Sequence, residues 1–377
     1  MEMRCVVNKK SIRKNRALKT AQKGARKYYQ EKLFAKAPNA TKAKIRKLAD
    51  LNEIEYQALE EPYLSSDSVQ GTVTKEQLVT LCHESGLIGR SGNGFPVAKK
   101  LEAFTKENGT LIINAVECDP GLVTDSWIYR NKRKEIETGA KLVKQALGIS
   151  QVILATKEPQ QSMSGMKQIN IIDRFPMGYE NYLIKAVLGV ELKEQELPQE
   201  KGILVMNLQT IVAIAEITRN REAGQYKYIT AANLTTGKAK VVRVHIGDSI
   251  EETAGQCYTK EELMQNTLYA GGGAFTCHKV IPDETVLDTT GYLAIGQMPE
   301  YECAGKCKGC GACTKNCPAG VMVHKLVQYV EKNGTDDIAA LKEYLPKKCI
   351  GCGTCTYGCM AGKDVREVVM CAKIALS

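Results

Sequence analysis

No uninterrupted apolar run in these 377 residues is long enough to cross a bilayer. No apolar stretch follows the positive N-terminus as a secretory signal would require. Acids are scarce at that end: residues 1–50 hold 16 Lys or Arg against Glu2, Glu31 and Asp50, a net of +13, while residues 51–377 net −3. The whole-chain charge of +10 therefore belongs to one segment, which removes most of the case for nucleic-acid binding by the whole protein. Histidine is rare, and His83, His245, His278 and His324 share no ligand spacing, so they read as structural. No G-K-[ST] ending closes a glycine loop and no G-x-G-x-x-G follows a strand, which excludes the Walker and Rossmann phosphate loops. Phenylalanine is low at 5 and glycine high at 32, so close backbone approaches carry weight. The 44% hydrophobic and 25% charged content excludes a collagen-like or wholly disordered chain.

Cysteine, by contrast, is abundant at 15. Without a secretion signal, clustered cysteines point to metal rather than to disulfides. Eight fall in two runs near the C-terminus: CKGCGACTKNCP, with Cys307, Cys310, Cys313 and Cys317, and CIGCGTCTYGCM, with Cys349, Cys352, Cys355 and Cys359. Each run is C-x2-C-x2-C-x3-C. Structural zinc sites usually present two ligand pairs across a long gap, so this spacing favours [4Fe–4S] clusters. In a two-cluster ferredoxin fold the fourth cysteine of each run ligates the other cluster. That assigns Cys307, Cys310, Cys313 and Cys359 to one cluster and Cys349, Cys352, Cys355 and Cys317 to the second. Cys303 and Cys371 read as spare buried thiols. Two clusters in one domain form a wire for single electrons, and the rest of the chain should hold its source or sink.

Apolar spacing predicts basic helices over 9–36 and about 41–59, then a linker over 62–73. From Thr74, which with Gln77 makes a capping box, helices alternate with strands at 111–116, 151–156, 169–175 and 202–207, the pattern of a largely parallel α/β sheet covered on both faces. Helices are expected at 133–147, 180–189 and 209–219. Residues 225–257 read as a strand pair of a small β-rich module, followed by a short helix near 260–268 and a GGGAF turn at 271–275. Trp127 and Tyr129 read as packing residues.

The loop LIGRSGNGFPVAKK at 87–100 offers glycines for close approach, with Arg90 and Lys100 as counter-charges. NAVECDPG at 114–121 ends a strand, where ligands of open α/β sheets sit. Together these resemble the flavoprotein subunit of respiratory complex I and the C subunit of Rnf electron-transport complexes. The loop from Gly89 to Pro96 with Lys100 is similar to G-R-G-G-A-G-F-P-x-x-x-K, NAVECDP to N-G-A-E-C-E-P, RFPMGYENYLIKAV (174–187) to the Rnf-type Y-P-Q-G-x-E-K-Q-L-I-K-A, and VMNLQT (205–210) to the N-N-V-x-T flavin loop. The β module and GGGAF resemble a soluble-ligand-binding β-grasp (SLBB-like) region. Ser91, Asn93, Val116 and Met206 depart from the family pattern.

The resemblance implies a complex I flavoprotein-like α/β domain over 74–222, a β-grasp module over 223–300 and a ferredoxin-like two-cluster helical domain over 301–377, after a basic segment and linker over 1–73. It nominates Gly89, Arg90, Gly92, Lys100, Asn114, Glu117, Asn207 and Thr210 for FMN. It implies an oxidoreductase subunit of the cytoplasm, peripheral at the membrane, that carries electrons from NADH through FMN and two [4Fe–4S] clusters to a partner reductase or an Rnf-type membrane complex. Two other readings stand beside it: an iron–sulfur relay independent of flavin or NADH, and a scaffold with structural clusters. The basic residues 1–50 would dock an acidic protein or a membrane surface, and nucleic acid is the weakest reading.

Overall fold

A computed structural model describes residues 53–65, 72–91, 94–172, 175–193, 196–298, 301 and 306–376. The helix expected over 9–36, the start of the one at 41–59, Gly92, Asn93, Arg174 and Cys303 lie outside the described residues. The end of that second basic helix is instead a strand, β1 (Glu55–Ala58). It pairs in parallel with Lys240–Arg243, and Tyr56 stacks on Trp127 with ring centroids 4.6 Å apart. Sheet pairing and aromatic contact from distant residues override the local helical pattern.

The α/β part runs α1 (Lys75–Glu84), α2 (Val97–Glu102), β2 (Thr110–Ala115), α3 (Thr124–Asn131), α4 (Arg133–Ala146), β3 (Gln151–Thr156), β4 (Lys167–Asn170), α5 (Glu180–Leu188), β5 (Ile203–Asn207) and α6 (Leu208–Ile217). Thr74 and Gln77 make the expected reciprocal cap on α1, at 3.3 and 2.9 Å. The sheet has the order β4-β3-β2-β5 and every pairing in it is parallel. Its apolar strands are buried on both faces: Leu111 and Ile113 belong to one core cluster, Ile112 and Ile153 to the one on the opposite side. Burying strands this way is what a run such as LIINAV requires.

The second sheet is mixed. Its part of the chain contains β6 (Tyr226–Asn233), β7 (Lys238–His245), α7 (Ile250–Cys257), α8 (Lys260–Gln265), β8 (Thr267–Gly271), β9 (His278–Lys279) and β10 (Tyr292–Gly296), with the strands in the order β1-β7-β6-β10-β8-β9. β6 and β7 form a hairpin, and β10 returns parallel beside β6, the crossing of a β-grasp. Helix α7 has no counterpart among the expected elements, although Ser249 receives the Glu252 N–H at 3.3 Å; Ser-x-x-Glu before an apolar residue was the available signal.

The end domain holds α9 (Ala312–Asn316), α10 (Val323–Asn333), α11 (Ile338–Glu343), α12 (Thr354–Tyr357) and α13 (Val365–Ala375). Its small core, with Val321, Leu326, Val369 and Ala372, encloses cysteines of both runs. Cys371 is exposed rather than buried, because it sits on the outer face of α13 while Val369 and Ala372 face inward. No helix among the described residues is long and apolar enough to cross a membrane.

Candidate flavin rim and iron–sulfur centre

The C-terminal end of the parallel sheet gathers the nominated residues. β2 and β5 are neighbours in parallel register, which sets Asn114 directly beside Asn207. Asn207 caps α6: its Oδ1 receives the Gln209 N–H at 2.8 Å, and its Nδ2 donates to Asp125 Oδ2 at 2.9 Å. Asn114 Nδ2 donates to the Gly178 carbonyl at 2.6 Å, drawing the FPMGYE segment over the strand end. A Cβ at Gly178 would stand 2.2 Å from the Val116 carbonyl oxygen, so this closure needs glycine. Glu117 is buried and receives the Asp125 and Ser126 N–H groups at 2.9 and 3.4 Å. Lys157, just past β3, donates to the Glu117 carbonyl at 2.8 Å.

The glycine loop closes on the same rim. The Gly89 N–H reaches the Phe95 carbonyl at 2.9 Å, the Arg90 N–H donates to Thr210 Oγ1 at 3.0 Å, and Lys100 pairs with Glu180 at 2.9 Å. Seven of the eight nominated residues are thus linked around one strand edge, and Gly92 is the one outside the described residues. The Arg90 side chain departs from the expectation of a counter-charge at the rim. It is fully buried, pairs with Asp288 at 3.0 Å and donates to the Gly224 and Tyr226 carbonyls. Those acceptors lie toward the second sheet, so its charge pins that sheet to the loop. Burial pulls its pKa down to about 10, opposed by Asp288. Met206, where the family has Asn, is 3% exposed and packs in the core.

Three carboxyls converge here: Glu117, Asp119 and Asp125. Burial pushes all three up, with Glu117 adding to the other two, and Asp119 reaches about 7. By surface area Asp119 is only half-buried, but the turn at Gly273 packs against its side chain, where an added Cβ would stand 3.3 Å from the Asp119 Cβ. A carboxyl that keeps its proton near neutrality can donate a hydrogen bond to a ligand. An Asp whose folded pKa is raised from 3.8 loses stability as pH rises from about 4 to about 7, and carries that cost at higher pH. Asp119→Asn is therefore expected to stabilise the protein by about 1–3 kcal/mol at pH 8 and by little at pH 4, measured by denaturant unfolding at both.

The cysteines come together across the two runs. A cavity is lined by Cys317 with Cys349, Cys352 and Cys355, and these four thiols interact electrostatically. The Cys313 thiol, pushed up to about 11 by burial, feels Cys307, Cys359 and Cys310. These are the two sets that fourth-cysteine exchange predicts. Each run repeats one backbone device: Gly309 and Gly311, like Gly351 and Gly353, have φ near +70°, a bend that favours glycine. The N–H of Gly309 points at Cys307 Sγ and that of Gly351 at Cys349 Sγ, both at 3.4 Å. Amides aimed at sulfur in matched loops suit a cubane. Among the described residues no three His, Cys, Asp or Glu side chains are close enough to hold a single metal ion.

Residues 82–216 match the family described as the Nuo51 FMN-binding domain, and residues 306–363 that described as a 4Fe-4S dicluster domain. The chain is 29% identical over 269 residues to the C subunit of the ion-translocating oxidoreductase complex of Rhodobacter capsulatus, covering 67% of this chain and 51% of that one. It is 25% identical over 267 residues to the same-named protein of Vibrio cholerae, covering 67% and 34%. It is 22% identical over 291 residues to the C subunit of the Na(+)-translocating ferredoxin:NAD(+) oxidoreductase complex of Acetobacterium woodii, covering 73% and 64%. The chain thus spans about half, or less, of the first two of these relatives. An NAD+-reducing [NiFe]-hydrogenase in the H2-reduced state shares the fold, with a TM-score of 0.55 at 16% identity over 85% of this chain and 67% of that one.

Sequence reasoning missed Asp125 and Lys157. Lys157 sits just beyond the end of β3 and Asp125 in the first turn of α3, places where residues of an open α/β sheet meet ligands.

Proposed function

We propose, from the premise that this is an RnfC-like chain with an FMN-binding domain and a 4Fe-4S dicluster domain, that it is an electron-transfer oxidoreductase subunit. In this reading electrons pass from NADH through FMN and two [4Fe–4S] clusters to a partner reductase or Rnf-type membrane complex. The observation that carries it is the joining of seven of the nominated residues around one strand edge, with the two thiol sets in the adjoining domain. FMN, when bound, takes up a hydride as two electrons and gives them out singly. Asn114 and Asn207 supply polar contacts at the strand ends, and the α6 N-terminus beside Thr210 favours an anionic group. Glu117 and Asp119 would offer carboxyl groups for hydrogen bonding to the flavin when it is bound. The eight run cysteines hold the clusters.

The protein purified anaerobically with reconstituted clusters is expected to contain flavin and about eight irons, and NADH should bleach the flavin. Iron without flavin would leave only a relay, and clusters that no donor reduces would leave only a scaffold. Asn207→Ala removes both a helix cap and the Asp125 contact. It is expected to lower flavin content by about tenfold at equal iron, read from the absorbance ratio of the purified variant.

A further inference from the structure

The two thiol sets sit in different surroundings, although each contains a buried thiol, Cys313 in one and Cys352 and Cys355 in the other. Cys352 and Cys355 are 7% and 8% exposed. Gly353 between them presses on the body of the protein, where an added Cβ would stand 2.0 Å from the Phe275 carbonyl oxygen. The Phe275 ring packs edge-on against Tyr357 at 4.9 Å and against Phe175 at 5.3 Å, and Phe175 continues to Tyr179 at 5.8 Å. Tyr179 directly follows Gly178, whose carbonyl Asn114 holds at the rim, so this row of rings runs from the rim to Tyr357 in the second cysteine run. Arg366 donates to the Gly351 carbonyl at 2.8 Å. Cys310, by contrast, is exposed, as are Lys306, Lys308, Lys315 and Met360 around its set.

We propose that the cluster of Cys317, Cys349, Cys352 and Cys355 is the inner one, which takes electrons from the rim across Tyr179 and Phe275, and that the cluster of Cys307, Cys310, Cys313 and Cys359 is the outer one, where electrons leave. This rests on the reading of the rim as the flavin site. One electron moves at a time: the donor at the rim is oxidised by one electron as the inner cluster is reduced, and the inner cluster is reoxidised as the outer one is reduced. No bond forms or breaks. Tyr179 and Phe275 act as positioning residues that set the gap.

The test uses the anaerobic holoprotein and two variants, Cys310→Ser and Cys349→Ser, each lacking one cluster. Their electron paramagnetic resonance spectra identify the two signals. Slow iron chelation of the unaltered holoprotein should remove first the signal that Cys310→Ser lacks. Light-driven reduction of the bound flavin followed by rapid freezing should reduce the remaining cluster of Cys310→Ser at the unaltered rate, and that of Cys349→Ser at least about tenfold more slowly. Phe275→Ala should slow first-cluster reduction with flavin content and both cluster potentials unchanged, which a merely structural role would not produce. Loss of the Cys349-set signal first, or fast reduction in Cys349→Ser with slow reduction in Cys310→Ser, would overturn the order. Protein free of flavin would instead overturn the reading of the rim, and with it the entry point, while the chelation order would still separate inner from outer.

Discussion

Serine in place of Cys317 is expected to remove the same cluster as serine in place of Cys349, and serine in place of Cys359 the same cluster as serine in place of Cys307. Each change should lower iron from about eight to about four per chain, with one of two paramagnetic signals lost. The expectation follows from which thiols share a space. Cys317 ends the first run, yet it lines the cavity of the second with Cys349, Cys352 and Cys355. Cys359 ends the second run, yet it acts on Cys313. The exchange is held by backbone as well as by thiols. The Thr354 hydroxyl donates to the Asn316 carbonyl at 3.2 Å, and Gly358 leaves room for the Asn316 side chain, which a Cβ there would meet at 2.1 Å. If Cys317→Ser removed the signal that Cys307→Ser removes, each run would hold its own cluster and the exchange would be wrong.

Glu216→Ala is expected to destabilise the protein by about 3–5 kcal/mol, the cost of stranding a buried partner charge. Arg243 and Glu216 have side chains 1% and 2% exposed and meet in a bidentate pair at 3.1 and 2.8 Å. The guanidinium also donates to the Tyr228 hydroxyl at 2.6 Å and lies over the Tyr228 ring at 4.8 Å. Glu216 is on α6, the helix that Asn207 caps at the rim, and Arg243 is on β7, so the pair ties one sheet to the other. Replacing both residues with leucine should recover most of the loss, since the pair repays its own desolvation only in part. Denaturant unfolding of the two variants measures this. Equal losses in the single and double variants would mean that packing, not the stranded charge, sets the cost.

What was legible in the sequence was mostly local. The cysteine runs declare themselves by spacing. The parallel strands show as unbroken apolar runs, and the Thr74 cap lies within four residues of its partner. The rim was legible through motif resemblance, since Asn207 ends β5 and Asn114 is the last residue but one of β2. What was hidden depends on residues far apart along the chain. Nothing near Arg90 announces that Asp288 will take its charge, or that Gly224 and Tyr226 will take its other donors. The seam of Gly353 on Phe275 joins two segments that look like separate turns. β1 read as the end of a helix because its pairing partner, β7, begins at Lys238.

That strand sets where the basic segment can be cut away. β1 covers the outer edge of the six-stranded sheet, pairing Glu55 through Ala58 with Lys240 through Arg243. A truncation that begins the chain at Glu53 leaves this edge closed. One that removes residues 1–60 bares the unpaired amides and carbonyls of β7, next to the buried Val241 and Val242. An uncovered strand edge of that kind is a template for self-association, so the second truncation would confuse a docking assay with aggregation while the first would not.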